Sequence, residues 1–271
     1  MGAVPKNVVI SGGTSGMGRA TALERLGRGD TVTVIGSSPS TLPPHPNLHA
    51  LQADLSSVAE VERVVTHLSE HYDAIDALAL FANRPMPRRR QTPDGLEYTF
   101  ALYYLSRHLL SHRLAPLLDA APHPVIVNVA GVGTTAGRIH WDDPQLTRGY
   151  GQVRAQLQAG RANDLLGVDF AARSSSKARY VLYHPGFTRS GVDNHPSPMV
   201  RASLRLLGRL FARPVAASAS PIVEWIDHPP TTPLTAVDRG KELDLSLKTL
   251  DLDDAARLAA YTEKLLSDIG G

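Results

Sequence analysis

Short apolar runs recur up to residue 185, at 7–11, 31–36, 48–53, 75–82, 125–130 and 179–183. Most are continuous, as in Val8-Val9-Ile10 and Val125-Ile126-Val127, rather than alternating with polar residues. A strand reads this way when helices cover both faces of its sheet. The stretches between the runs carry helical periodicity. Ser57-Val58-Ala59-Glu60 has the form of a capping box, and Val61, Val64, Val65 and Leu68 follow at helical spacing. Residues 94–118 carry a long helical pattern. Residues 149–173 carry another, weakened by Gly160 and Gly167 at about 1 kcal/mol each relative to alanine. Strand–helix–strand repetition with right-handed crossovers predicts a doubly wound α/β fold of the Rossmann type. The expected sheet is mostly parallel, of about seven strands, with helices on both faces.

The pattern changes after Pro185. Residues 186–240 are rich in Pro, Ser and Arg, with a helix expected around 199–211, where Val200, Leu204, Leu207 and Phe211 form a stripe. This region reads as an insertion over the substrate crevice of one domain spanning 1–271. Leu243-Asp244-Leu245-Ser246-Leu247 alternates like a last strand, and Asp251 or Asp253 is placed to cap a final helix bearing Leu258, Leu265 and Leu266.

Composition narrows the function classes. At 271 residues, 42% hydrophobic and 20% charged, the chain is an ordinary globular one. A net charge of +2 gives no reason to expect nucleic acid. The absence of cysteine removes disulfides, thiolate metal sites and cysteine nucleophiles, and it fits a reducing cytosol. The chain enters a strand by Asn7, which leaves no room for a signal peptide, and no apolar run approaches the roughly 20 residues of a membrane span. These features predict a cytoplasmic protein with no nucleic-acid partner, no membrane span and no metal.

The stretch Ser11-Gly12-Gly13-Thr14-Ser15-Gly16-Met17-Gly18 lies between the first strand and the helical run Arg19-Ala20-Thr21-Ala22-Leu23. A glycine-rich strand-to-helix turn brings backbone N–H groups and a helix N-terminus up to a pyrophosphate. With Ala53-Asp54-Leu55, Pro185-Gly186 and Ser190, it resembles the short-chain dehydrogenase/reductase superfamily along nearly the whole chain. Thr92-Pro93-Asp94-Gly95-Leu96-Glu97, His184-Pro185-Gly186 and the ending at 240–269 are most similar to its retinol-dehydrogenase-like branch. The resemblance implies a nicotinamide dinucleotide held by Gly12, Thr14, Ser15, Gly16, Met17, Gly18, Ser37, Ser38, Asp54, Leu55, Ala82, Asn83, Pro185, Gly186 and Ser190. Gly36-Ser37-Ser38 has no acid to receive a ribose 2′-OH, which favours NADP(H) over NAD(H). The family often forms homo-oligomers through the helices after its fourth and fifth strands.

That family's usual chemistry needs a tyrosine of lowered pKa, a lysine four residues on, a serine and an asparagine. Tyr150-Gly151-Gln152-Val153-Arg154 imitates the tyrosine–lysine pair. However, residues 139–163 align without a gap with the retinol-dehydrogenase-like pattern, sharing Asp143, Tyr150, Ala155, Ala162 and Asn163. In that register Gln156 stands at the tyrosine position, Gly160 at the lysine, Gly131 at the serine and Tyr103 at the asparagine. Gln156, Tyr103 and Tyr150 are the residues left as catalytic candidates. The expectation that follows from the resemblance is an atypical reductase acting on an activated C=N, C=C or C=O bond of a small-molecule substrate without the tyrosine–lysine pair. The alternatives are a non-redox cyclase, isomerase or lyase, or a non-catalytic NADP(H)-binding protein. Arg88-Arg89-Arg90 and the series Arg201, Arg205, Arg209, Arg213 read as solvated basic faces or as contacts for an acidic partner.

Overall fold

The computed structural model describes residues 4–186 and 215–270. Six of its strands carry the apolar runs: β1 (Asn7–Ser11), β2 (Thr31–Gly36), β3 (Leu48–Gln52), β4 (Ala77–Leu80), β5 (Val125–Val129) and β6 (Arg179–His184). With β7 (Leu234–Asp238) and β8 (Lys241–Glu242) they form one sheet ordered β3-β2-β1-β4-β5-β6-β7-β8. All pairs are parallel except β7 with β8.

The continuous apolar runs follow from two buried faces. Val9, Leu78, Leu80, Ile126, Tyr180 and Leu182 join one core with helices α2 (Val58–His71), α3 (Tyr98–Phe100), α4 (Ser106–Arg113), α5 (Ala115–Ala120), α6 (Gln152–Arg173) and α8 (Leu252–Gly270). Their neighbours Val8, Ile10, Ala77, Ala79, Val125, Val127 and Val181 face a second core with α1 (Gly16–Gly27) and α7 (Val215–Asp227). The strand period of two sends alternate residues to opposite layers.

Several expectations are corrected. The long helix expected over 94–118 begins at Tyr98, passes through a π-helical turn at Ala101–Leu105 and breaks at Leu114 before α5, which has a proline in its first turn. The capping box of α2 does not form. Ser57 has the N-cap backbone conformation but makes no side-chain cap bond, and the Val58 N–H donates instead to Asp94 Oδ2 at 3.1 Å. Glu60 is taken by Arg63. Residues 243–247 are not a strand: Asp244 Oδ1 accepts the Ser246 N–H at 2.8 Å and turns the chain locally. The last strands are β7 and β8, hidden in a proline-rich stretch.

The insertion expected over 186–240 therefore does not extend to residue 240. Helix α7 packs on α1, where Arg25 donates to Asp227 at 2.6 Å, and β7 pairs with β6. The helix expected at 199–211, with its arginine series, lies outside the described residues, as does Ser190. The final helix is capped by Asp251, whose Oδ1 accepts the Asp254 N–H at 2.9 Å.

Candidate active site

The strand order reverses between β1 and β4, so the connections leave these neighbours in opposite directions and open a crevice at their carboxyl ends. The described residues read from sequence as cofactor contacts fall on that edge of the sheet. The glycine turn follows β1, Ser37 and Ser38 follow β2, and Asp54 and Leu55 come two and three residues after β3. Ala82 and Asn83 follow β4, and Pro185 and Gly186 follow β6.

The glycine turn is built for close approach. Gly12 has φ +72°, and a Cβ there would lie 2.8 Å from the Ala82 backbone nitrogen. A Cβ on Gly18 would lie 2.4 Å from the Gly12 carbonyl oxygen, so only glycine lets α1 start this close to the loop. Ser15 is the N-cap of α1 but makes no side-chain bond, and the first turn holds no acid. The opening N–H groups of α1 thus have no side-chain partner and suit an anion. Thr14 packs over the end of β2, where a Cβ on Gly36 would lie 2.8 Å from Thr14 Cγ2. Ser37 and Ser38 are exposed there. Asp54 Oδ1 accepts from Ser56 N and Oγ at 3.0 and 2.7 Å, while Met17, Leu55 and Ala82 are buried. Gly186 has φ +83° beside Arg239. Of these, the glycine turn and the open start of α1 have the geometry that suits an anionic group such as a pyrophosphate.

The catalytic candidates occupy different settings. Gln156 lies in α6, and its side chain forms a reciprocal pair with Asn83: Asn83 Nδ2 donates to Oε1 at 2.9 Å, and Gln156 Nε2 donates to Oδ1 at 3.1 Å. Gly160 is one turn further on, and apart from its chain neighbours and the backbone of its own helix no described atom lies within 4 Å of where its Cβ would be. Gly131 is nearly as open, with Thr134 Oγ1 at 3.4 Å. Tyr150 precedes α6, and its hydroxyl donates to the Met86 carbonyl at 2.8 Å. Arg154 turns away toward His140 Nε2 and the Gly149 carbonyl. Tyr103 sits in the π-helical turn, 7% exposed, against Ala130 and Ala159. Burial raises its hydroxyl pKa, opposed by the Arg107 guanidinium 4.7 Å from its ring centroid.

Arg107 itself was missed from sequence, because nothing in a helical pattern marks a buried cation. It is 0% exposed, and it donates to Asn128 Oδ1, the Val129 carbonyl and the Ala82 carbonyl, tying β5 to the loop after β4. Burial lowers its pKa to about 10, against the opposing pull of Tyr103 and Tyr180. Asn128 extends the network to Asn163 Oδ1 and the Tyr180 hydroxyl, and Asn163 donates to the Tyr103 carbonyl at 2.7 Å. The floor beneath the candidate reaction centre is thus a buried polar net that fixes the ends of β4, β5 and the π-helical turn.

Comparison with known proteins agrees with this geometry. The sequence pattern of the family described as short chain dehydrogenase matches residues 6–142. Over 277 aligned residues the chain is 28% identical to a Streptomyces sp. (strain C5) protein named as a candidate daunorubicin C-13 ketoreductase, DnrU, covering 98% of this chain and 93% of that one. It is 27% identical to retinol dehydrogenase 13 of Homo sapiens over 204 residues, which span 70% of this chain and 61% of that protein. The crystal structure of an uncharacterized protein from Mycobacterium paratuberculosis aligns with a TM-score of 0.72 at 22% identity, over 96% of this chain and 92% of that one. The fold is that of the Rossmann class, and the family match and the oxidoreductase relatives make the chain an oxidoreductase. The chain belongs to the short-chain dehydrogenase family, which uses a nicotinamide cofactor, and it is similar to retinol dehydrogenase 13. Among the described residues no helix is long and apolar enough to cross a membrane.

Proposed function

We propose that this protein binds NADP(H) along the β1, β2 and β4 edge and reduces an activated C=N, C=C or C=O bond of a small molecule, without a tyrosine–lysine proton-transfer couple. The observation that carries this reading is the pairing of Gln156 with Asn83, one turn before the bare Gly160. An amide has no proton to release near neutral pH, and no described side chain fills the space beside Gly160. The cofactor, when bound, supplies the hydride, while the protein orients and shields. A protonated imine or a polarised alkene needs no strong acid from the protein at the accepting atom. The substrate class of DnrU, by its name a ketone, is compatible with a C=O acceptor.

The preference for NADP(H) is supported by the exposed Ser37 and Ser38, two hydroxyls with no carboxylate among the residues directly after β2. Titration of the full chain with NADPH and NADH, followed by NADPH consumption with a panel of imines, enones and activated ketones, tests the proposal. The expected result is tighter binding of NADPH and turnover of at least one acceptor. Binding of neither nucleotide would end the enzymatic reading. Binding without turnover across the panel would favour a non-redox or non-catalytic protein.

A further inference from the structure

Tyr103 is 7% exposed, and its hydroxyl has no hydrogen-bond partner among the described residues. Its backbone is fixed, since the carbonyl accepts from Asn163 at 2.7 Å. Its ring packs against Ala130 and Ala159, each one residue before an open position, Gly131 and Gly160. Arg107, four residues on, is fully buried. Asn128 and two backbone carbonyls accept from it, its Nε–H has no partner, and no carboxylate among the described residues pairs with it. A buried cation without an anion is costly, so a negative charge formed beside it is favoured. The Tyr103 ring supplies the place for that charge, with its centroid 4.7 Å from the guanidinium carbon. Burial holds the proton on Tyr103, and Arg107 opposes that hold.

We propose that the Tyr103 hydroxyl donates the proton to the oxygen of a C=O acceptor, with Arg107 as the cation that steadies the phenolate left behind. The acid then comes from the π-helical turn and not from α6. As the acceptor carbon takes up hydride from NADPH, the C=O π pair moves onto oxygen, and that oxygen takes the Tyr103 proton. Solvent returns a proton to the phenolate once the alcohol has left. An alkoxide is more basic than a phenolate, so the transfer runs downhill even from a tyrosine that holds its proton firmly. An N-alkyl iminium acceptor takes hydride alone and needs no proton. The inference rests on the reading that the chain reduces a small molecule with NADPH, and its test separates the two.

The test compares the full wild-type chain with Tyr103→Phe, a change that removes only an unpartnered hydroxyl and leaves no buried group unsatisfied. NADPH consumption is followed with two acceptors: trifluoroacetophenone, whose oxygen must be protonated, and the N-methyl-dihydroisoquinolinium ion, which needs hydride alone. The variant is expected to lose roughly hundredfold in kcat on the ketone, the scale of a positioned general acid, and to stay within about twofold on the iminium ion. Calorimetry gives a readout apart from turnover. NADPH affinity should stay within about twofold. With NADPH present, the alcohol product of the ketone should bind the variant roughly fivefold more weakly, the scale of one neutral hydrogen bond, while its deoxy analogue binds both proteins alike. If the wild type reduces only the ketone, this binding comparison decides in the same way. Equal losses on the two acceptors overturn the inference, since Tyr103 would then only pack. Unchanged ketone turnover overturns it too, as does a wild type that reduces only the iminium ion. A wild type that reduces neither removes the underlying reading itself.

Discussion

Asp164 is buried in α6 at 1% exposure, with its nearest cation, Arg161 Nε, 3.8 Å away and no hydrogen bond of normal length to either oxygen. Burial, only partly offset by Arg161, pushes its carboxyl up to about 7. In the unfolded chain it titrates near 3.9. Between these values the folded chain keeps a proton that the unfolded chain has released. Stability therefore falls as pH rises from about 4 to about 7, and the full penalty, on the order of 4 kcal/mol, persists above that window. Asp164→Asn is expected to raise Tm by several degrees at pH 8 and to leave it nearly unchanged at pH 4, read by calorimetry at both pH values. Equal shifts at the two would refute the assignment. At the candidate reaction centre, Gly131 and Gly160 have room for larger side chains, and Gln156 is only half-buried. The triple change Gly131→Ser, Gln156→Tyr, Gly160→Lys is expected to raise NADPH-dependent reduction of a simple ketone at least tenfold, on the scale that a positioned general acid contributes. No gain in a variant that still binds NADPH would count against the register that puts these positions beside the substrate.

At the scale of elements, the glycine turn and the caps decide the outcome. Gly18→Ala places a methyl 2.4 Å from the Gly12 carbonyl, a backbone atom that cannot swing away. The start of α1 must then shift, and dinucleotide affinity is expected to fall at least tenfold while β1 and β2 remain paired, measured by binding and by far-UV circular dichroism. Helix α2 is capped from a distance by Asp94. Asp94→Ala should cost about 1 kcal/mol in denaturant unfolding, whereas Ser57→Ala, with no cap bond to lose, should cost less. The local code of Ser57-Val58-Ala59-Glu60 was legible, but the choice of capping carboxylate was not. It depends on a residue 36 positions away brought close by the fold.

At the scale of the whole molecule, the C-terminal helix covers part of α6. Residues 161–170 of α6 are buried on every side. Helix α8 closes its outer flank with Ala255, Leu258 and Ala259, and Thr262 bonds the Tyr104 hydroxyl at 2.7 Å. Arg257 stacks over Trp141, and the Tyr261 hydroxyl accepts from Gln145 at 3.0 Å. This part of α6 therefore has no free face with which to pair against a second copy. Light scattering of the purified protein is expected to give the mass of one chain at micromolar concentration. A stable dimer that persists on dilution would show that another surface joins the subunits.

The sequence alone determined the alternation of strands and helices, the glycine turn and the edge of the sheet on which that turn lies. Each of these is written locally, in residue period and in positions where a side chain cannot fit. It also singled out Gln156 and Gly160 as unusual, by position in a helix. Tertiary structure decided what surrounds the polar groups: the amide of Asn83 beside Gln156, the carbonyls and Asn128 around buried Arg107, and the buried setting of the Asp164 carboxyl. It also drew β7 and α7 into the core out of a proline-rich stretch with little local signal. Such facts depend on segments distant in the chain meeting in space, and one-dimensional patterning of polar and apolar residues does not encode which distant partner a polar group will find.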